Sequence, residues 1–237
     1  MIKVGLLGLG KTGKVVANTL FNDPRFDLVF VIKNIPAKAR DFHFVVEPKE
    51  MLASLIKKFN PDIIVDFTTP KATLENIKLI PKGKGIVIAT TGFTDNQLDE
   101  IKKIEGIKIL YIPNISSGIN ILMAACNLIG NIWKEADIEI VETHFKNKKD
   151  APSGTAKKIA KLFIKKEIPI HAIRVGGVVG EHSVVFATET QKIVISHQSF
   201  SREVFADGAK KAILFLNKAL HNGFYIAKDI YKFNKEI

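Results

Sequence analysis

The sequence predicts an α/β protein: a Rossmann-like doubly wound parallel sheet, followed by a second α+β region built on a mixed or antiparallel sheet. Three observations lead there. Short apolar runs recur with helix-length stretches between them, at Ile2–Leu7, Leu28–Ile32, Asp62–Phe67, Gly85–Ala89 and Ile107–Ile112, and near-continuous apolar strands mark a parallel sheet covered on both faces. The first run feeds into Gly8-Leu9-Gly10-Lys11-Thr12-Gly13, a G-x-G-x-x-G turn that allows close approach of a pyrophosphate and tight helix–strand packing. Beyond Ser117-Gly118 the pattern changes to a long apolar helix and then to strands of period two punctuated by glycine.

At 237 residues with 46% hydrophobic content, the chain can bury one large core or two modest ones. Its net charge of +11 is carried by lysines spread along the whole length, without an arginine-rich tail or interleaved aromatics. Small anionic ligands are therefore expected, and nucleic acid is not. The single cysteine, Cys126, excludes an intrachain disulfide, and no apolar leader follows Met1, so a cytoplasmic location is expected. Ile119 to Trp133 is interrupted by Asn120, Asn127 and Asn131, which predicts a buried helix and no membrane partner.

Taken in order, the first strand and glycine turn open a helix over Lys14–Leu20. The second strand ends at Lys33-Asn34, where NAD-binding folds commonly carry an acid for the ribose 2′-OH. A cation there suits a 2′-phosphate, so NADPH is favoured over NADH, with dual use left open. Glu47-Pro48 begins a helix through Phe59, proline being tolerated in a first turn. Thr69-Pro70 has the form of an N-cap, and Thr94 to Gln97 that of a capping box. Thr68, Thr90, Thr91, Asn114 and Ser116 fall at the carboxyl ends of strands, where doubly wound sheets bind ligands. Further strands are expected at Ile170–Val175, Ser183–Ala187 and Lys192–Ser196, then a helix from Val204 to Leu220 with Gly223 as its C-cap. The resulting division is a dinucleotide-binding domain over 1–115, a substrate-binding and oligomerisation domain over 116–202, and C-terminal helices over 203–237 returning to the first.

The stretch richest in chemistry runs from Val141 to Ala156. It leaves an apolar strand, Ile138–Val141, and enters a helix at Ser153-Gly154-Thr155, with His144, Lys146, Lys148, Lys149 and Asp150 between. His144 can exchange a proton near neutral pH, and a helix start offers free N–H groups to a carboxylate. Two readings stand at this point: a solvated lysine loop before a capped helix, or a proton-transfer site. His182 reads as a hydrogen-bonded structural histidine; His43, His171, His197 and His221 have no partner pattern. No Cys/His/Asp cluster has metal-ligand spacing, so no metal is expected.

With these segments in hand, the chain resembles the dihydrodipicolinate reductase (4-hydroxy-tetrahydrodipicolinate reductase) family over nearly its whole length. The resemblance rests on the glycine turn, Asp66-Phe67-Thr68-Thr69-Pro70, Thr90-Thr91-Gly92-Phe93, Asn114 to Asn120, Arg174 to His182, and Ser201-Arg202 before Phe205 to Ala209. Its most specific part is Glu142-Thr143-His144, Lys148, and Asp150-Ala151-Pro152-Ser153-Gly154-Thr155-Ala156. It implies NAD(P)H-dependent reduction of a cyclic dicarboxylate imine in lysine and diaminopimelate biosynthesis. In that family's terms His144 is the proton donor, Lys148 its cationic partner, and Ser153, Gly154 and Thr155 meet a substrate carboxylate. Gly8 to Gly13, Ala89-Thr90-Thr91 and Pro113-Asn114-Ile115-Ser116 would line the cofactor. A homotetramer assembled through the second sheet, with lobes closing over substrate, is also implied. The chain departs from the family in two places. Phe145 stands where a second histidine is usual, and the glycine turn is one residue shorter and lacks Arg-Met. Reduction of another amino-acid-like imine, or non-catalytic dinucleotide sensing, is the alternative.

Overall fold

The computed structural model describes residues 1–33, 43–163 and 167–231; Asn34 and the last part of the expected C-terminal helices lie outside them. Among the described residues, the chain divides into two compact units, one of Met1–Ile115 joined by residues 205–231, the other of Ser116–Val204.

The first unit is built on β1 (Ile2–Leu7), β2 (Phe26–Ile32), β3 (Val46–Glu47), β4 (Ile63–Asp66), β5 (Gly85–Ile88), β6 (Lys108–Tyr111) and β11 (Gly223–Ile226). They form one seven-stranded sheet in the order β11-β6-β5-β4-β1-β2-β3, parallel at every pairing. Successive strand residues point to opposite faces, and both faces are apolar here. Val4, Leu6, Ile63, Val65, Val87 and Leu110 pack with Val16 and Leu20 of α1 (Lys11–Phe21) and with Ala209, Ile213 and Leu216 of α7 (Glu203–Lys218). Leu7, Ile64, Ile86, Ile88 and Ile109 pack on the other side with Leu55 and Ile56 of α2 (Leu52–Phe59) and Ile101 of α4 (Asp95–Lys102). Each such valine, leucine or isoleucine contributes about 1.5–3 kcal/mol by leaving water. Two cores on one parallel sheet make the doubly wound architecture. Thr69 caps α3 (Pro70–Asn76), and the Thr94/Gln97 capping box is formed at α4.

The C-terminal segment differs from the expectation. The helix ends at Lys218, and Gly223, at φ +148°, opens β11 rather than capping that helix. β11 pairs in register with β6 from Gly223↔Lys108 to Ile226↔Tyr111, and α8 (Ala227–Tyr231) follows it. Edge-to-face packing of Phe215 on Tyr225 at 5.6 Å holds this strand to α7. Four half-buried residues carry too little periodicity for the strand to be read from sequence.

The second unit contains β7 (Asp137–His144), β8 (Ile170–Arg174), β9 (Gly180–Ala187) and β10 (Lys192–Ser199), with α5 (Ser117–Ile132) and α6 (Gly154–Ala160). The strand order is β10-β9-β7-β8. β9 is antiparallel to both β7 and β10, and β8 is parallel to β7, so the sheet is mixed. Ile138 and Ile140 of β7 and Val184 and Phe186 of β9 pack with Leu122 and Cys126 of α5 and Ile159 of α6.

Candidate active site

In the first unit, the residues expected at the cofactor other than Ser116, which belongs to the second unit, follow the carboxyl ends of the strands. Gly8 follows β1 and Phe67-Thr68 follows β4, and these two strands are neighbours at the point where the strand order reverses, the customary ligand crevice of such sheets. Gly8 has φ +94°, and a Cβ on it would stand 2.7 Å from the Phe67 carbonyl oxygen. Gly13 lies inside α1, where a Cβ would meet the Gly8 carbonyl oxygen at 2.0 Å. Helix and turn can approach this closely only with glycine at both places. Above Gly10 the space is open; the start of α1 has no side-chain cap and no acid in its first turn. Uncapped N–H groups, a bare glycine surface and Leu9, Lys11 and Thr12 alongside fit a dinucleotide pyrophosphate. Lys33 follows β2, half-buried, its N–H bonded to the Glu47 carbonyl.

The polar residues at the next strand ends divide into two kinds. Asp66, fully buried, accepts at Oδ1 from the Thr68 N–H (2.8 Å), the Thr68 hydroxyl (2.5 Å) and the Thr90 hydroxyl (3.1 Å). Burial pushes its carboxyl up, against the pull of those bonds and of Asn76. The Thr68 and Thr90 hydroxyls are thus spent on bracing the ends of β4 and β5. Thr91 is exposed, Pro113 and Asn114 are half-buried beyond β6, and Ala89 and Ile115 pack into the apolar core. Ser116 caps α5 through the Ile119 N–H.

In the second unit, β7 alternates strictly, turning Ile138, Ile140, Glu142 and His144 inward. The inward face is apolar along its first half and polar at its carboxyl end. β9, antiparallel, turns Gly180, His182, Val184 and Phe186 to the same interior. Register then sets Glu142 opposite His182, and His144 opposite Arg174 of β8. His144 Nδ1 is hydrogen-bonded to Glu142 Oε2. Glu142 Oε1 accepts from Arg174 Nη2 at 2.7 Å and from the Ser153 N–H at 3.1 Å. The His144 and His182 rings meet edge to face at 5.2 Å, and His182 Nε2 lies 3.2 Å from the Ser153 hydroxyl. Ser153 itself caps α6 through the Ala156 N–H, so its N–H and hydroxyl are engaged within the protein. Gly154 presents open space where a side chain would be.

Of the three lysines in the turn, Lys146 and Lys149 are exposed, whereas the Lys148 side chain is only 20% exposed and lies 2.5 Å from Asp150 Oδ1. Lys148 is thus less solvated than its neighbours. Burial depresses the His144 pKa; Glu142 works against that, and Lys148 and Arg174 add to it. Burial works to raise the Glu142 carboxyl, but bonds from Arg174, His144 and the Ser153 N–H outweigh it and hold it low. His182 is pushed down to about 4, chiefly by burial and then by the charge of His144. Glu142 and Arg174 carry this arrangement without having been singled out individually from sequence. Extending the period-two pattern of β7 through His144 marks Glu142 as inward-facing; the Arg174 partnership, thirty-two residues away, has no local signal.

Glu142, His144 and His182 bring ligand-type atoms within 4.8 Å of one another. Their chemistry suits protons better than a metal ion. Both Glu142 oxygens are already engaged, one of them by a guanidinium, whose fixed charge would repel a cation at the same carboxylate.

Among known proteins, a family model described as "Dihydrodipicolinate reductase, N-terminus" matches residues 2–115, and one described as "Dihydrodipicolinate reductase, C-terminus" matches residues 118–231. A 4-hydroxy-tetrahydrodipicolinate reductase of Methanocorpusculum labreanum is 36% identical over 257 residues, covering 97% of this chain and 99% of the relative. One from Thermosipho africanus is 34% identical over 235 residues, covering 98% of both. The dipicolinate-bound dihydrodipicolinate reductase from Paenisporosarcina sp. TG-14 superposes with a TM-score of 0.81 at 28% identity, over 97% of this chain and 98% of that one. Matched over both units, the chain belongs to the dihydrodipicolinate reductase family.

Proposed function

We propose that the protein is an NAD(P)H-dependent 4-hydroxy-tetrahydrodipicolinate reductase, forming tetrahydrodipicolinate in lysine and diaminopimelate biosynthesis. The observation that carries this reading is the His144–Lys148 turn: a buried imidazole held by a carboxylate, with a partly buried ammonium four residues on, in a chain matched to that family throughout.

The dinucleotide, when bound, supplies the hydride. Gly8 to Gly13 receive its pyrophosphate, with Thr91, Pro113 and Asn114 alongside. Lys33 meets the 2′-phosphate, which favours NADPH. His144 delivers the proton, a contribution of roughly two to four orders of magnitude in rate. Lys148 stabilises the negative charge that develops at the ring nitrogen, an effect magnified where water is excluded. One ring carboxylate docks at Gly154 and Thr155, where Ser153 shapes the turn. The substrate's two carboxylates bring negative charge that offsets Lys148 and Arg174, and so raise the His144 pKa towards the protonated donor form. Val194 of β10 and Ile173 of β8, 48% and 45% exposed on the outward side of the second sheet, support assembly of a homotetramer through that face. The setting is cytoplasmic.

The test is oxidation of NADPH and NADH by the purified protein, with substrate generated in place by dihydrodipicolinate synthase. Turnover that requires the synthase product supports the reading, and none with either cofactor refutes it.

A further inference from the structure

Glu142 is fully buried and is met from three directions: His144 on its own strand, Arg174 on β8, and the Ser153 N–H at the start of α6. A buried ion pair is a poor source of stability, because the cost of taking both charges out of water offsets their attraction. What this pair does is orient. The carboxylate faces Nδ1 of His144 and, as an acceptor, demands a proton there; Nε2 then stays bare on the other side of the ring. Nε2 lies beside Gly180, where a Cβ would stand 3.1 Å away, so the absence of a side chain keeps that nitrogen clear.

Arg174 extends the arrangement. The Nη2 that holds Glu142 also donates to the Asp150 carbonyl at 2.6 Å, and Nη1 donates to the Ile173 carbonyl at 2.8 Å. Asp150 in turn holds the Lys148 ammonium. One guanidinium therefore ties the carboxylate behind the imidazole to the turn that carries the ammonium.

We propose that the Glu142–Arg174 pair is the positioning device of this site, keeping one His144 proton on Nδ1, so that the second proton, taken up from solvent as the ring becomes imidazolium, sits on Nε2 for transfer to substrate, and anchoring the Lys148 turn. The inference rests on the reading of His144 as proton donor. Glu142 and Arg174 are positioning residues; neither is asked to touch the substrate. Among the described residues, the charged and titratable groups facing His144 are Glu142 from its own strand, Arg174 from β8, Lys148 from the turn and His182 from β9. Glu142 alone among them favours the imidazolium. Its removal leaves burial and the two fixed cations unopposed.

The test is nitrogen-15 NMR of the full-length protein without ligands, with His144 assigned by loss of its signals in His144→Gln. At neutral pH the wild-type ring shows the proton on Nδ1. In Glu142→Gln the His144 titration midpoint moves to lower pH, the alkaline limb of the kcat profile moves the same way, and kcat falls about tenfold or more. Glu142→Asp restores part of both shifts, and cofactor affinity, followed by nicotinamide fluorescence, stays at the wild-type value in each variant. A purely structural role would lower the melting temperature and leave midpoint and limb in place, which overturns the proposal. So does a wild-type ring with its proton on Nε2, a measurement that needs no variant to fold. Full activity in His144→Gln together with the expected tautomer would instead refute the proton-donor reading and leave the geometry standing.

Discussion

Lys148 Nζ sits 2.5 Å from Asp150 Oδ1, drawn in from solvent between two lysines that are not. If this ammonium stabilises charge in the transition state, Lys148→Ala lowers kcat by about a hundredfold or more. Lys149→Ala leaves kcat unchanged. Steady-state assays of both variants decide it: equal rates would return Lys148 to the role of a surface cation.

His144→Gln removes the transferable proton and keeps the ring's approximate volume. Its kcat falls by roughly two to four orders of magnitude while KM changes little, the pattern of an interaction made mainly in the transition state. A loss confined to KM would make His144 a binding group only.

Lys33→Glu replaces a cation by the acid that binds a ribose 2′-OH. The ratio of kcat/KM for NADPH over that for NADH falls, because the new carboxylate repels a 2′-phosphate. An unchanged ratio would separate Lys33 from the cofactor.

Gly13→Ala puts a methyl group 2.0 Å from the Gly8 carbonyl oxygen. Overpacking of this kind costs about 1–3 kcal/mol. Thermal melts show the loss of stability, and fluorescence titration shows weaker dinucleotide binding, since the same turn is displaced. A variant that melts with the wild type and binds equally well would contradict the packing of α1 on the turn.

His182 imposes a pH dependence of its own. Its folded-state value, about 4, lies below the ordinary 6.5, so between those two values the unfolded chain binds more protons than the native one. Stability from this group is complete above pH 6.5 and is lost as the pH falls towards 4, by on the order of 3 kcal/mol. Urea melts at pH 7 and pH 4.5 measure the decline, and it is smaller in His182→Gln. Identical declines in both proteins would assign the acid sensitivity to other groups.

The doubly wound sheet was legible because its evidence is local: apolar runs such as Ile2–Leu7 and Gly85–Ile88, each followed by a polar turn and a helix start. The glycine turn was legible for the same reason, its spacing being written in six consecutive residues. Within the candidate site, His144 and Lys148 stood out because one turn holds them both. Glu142 lies past Val141, where the apolar run ends although β7 continues to His144, and Arg174 meets it only through the parallel pairing of β7 with β8. Sequence alone marks His182 as structural. It is indeed hydrogen-bonded, but antiparallel pairing of β9 with β7 also brings it against His144. Long-range register is what a single sequence does not print, and the hydrogen-bonded half of this site depends on it.

Because β11 and α7 come from the far end of the chain, synthesis on the ribosome meets an ordering constraint. The five amino-terminal strands that follow β1 emerge early, but the outer edge of β6 and the apolar surface under Ala209, Ile213 and Leu216 wait uncovered while the residues of the second unit are made. The first unit begins to emerge before the second and gains α7 and β11 only after it. Nascent chains arrested just short of Phe205 therefore display a sticky sheet, the kind of surface that recruits chaperones or seeds aggregation.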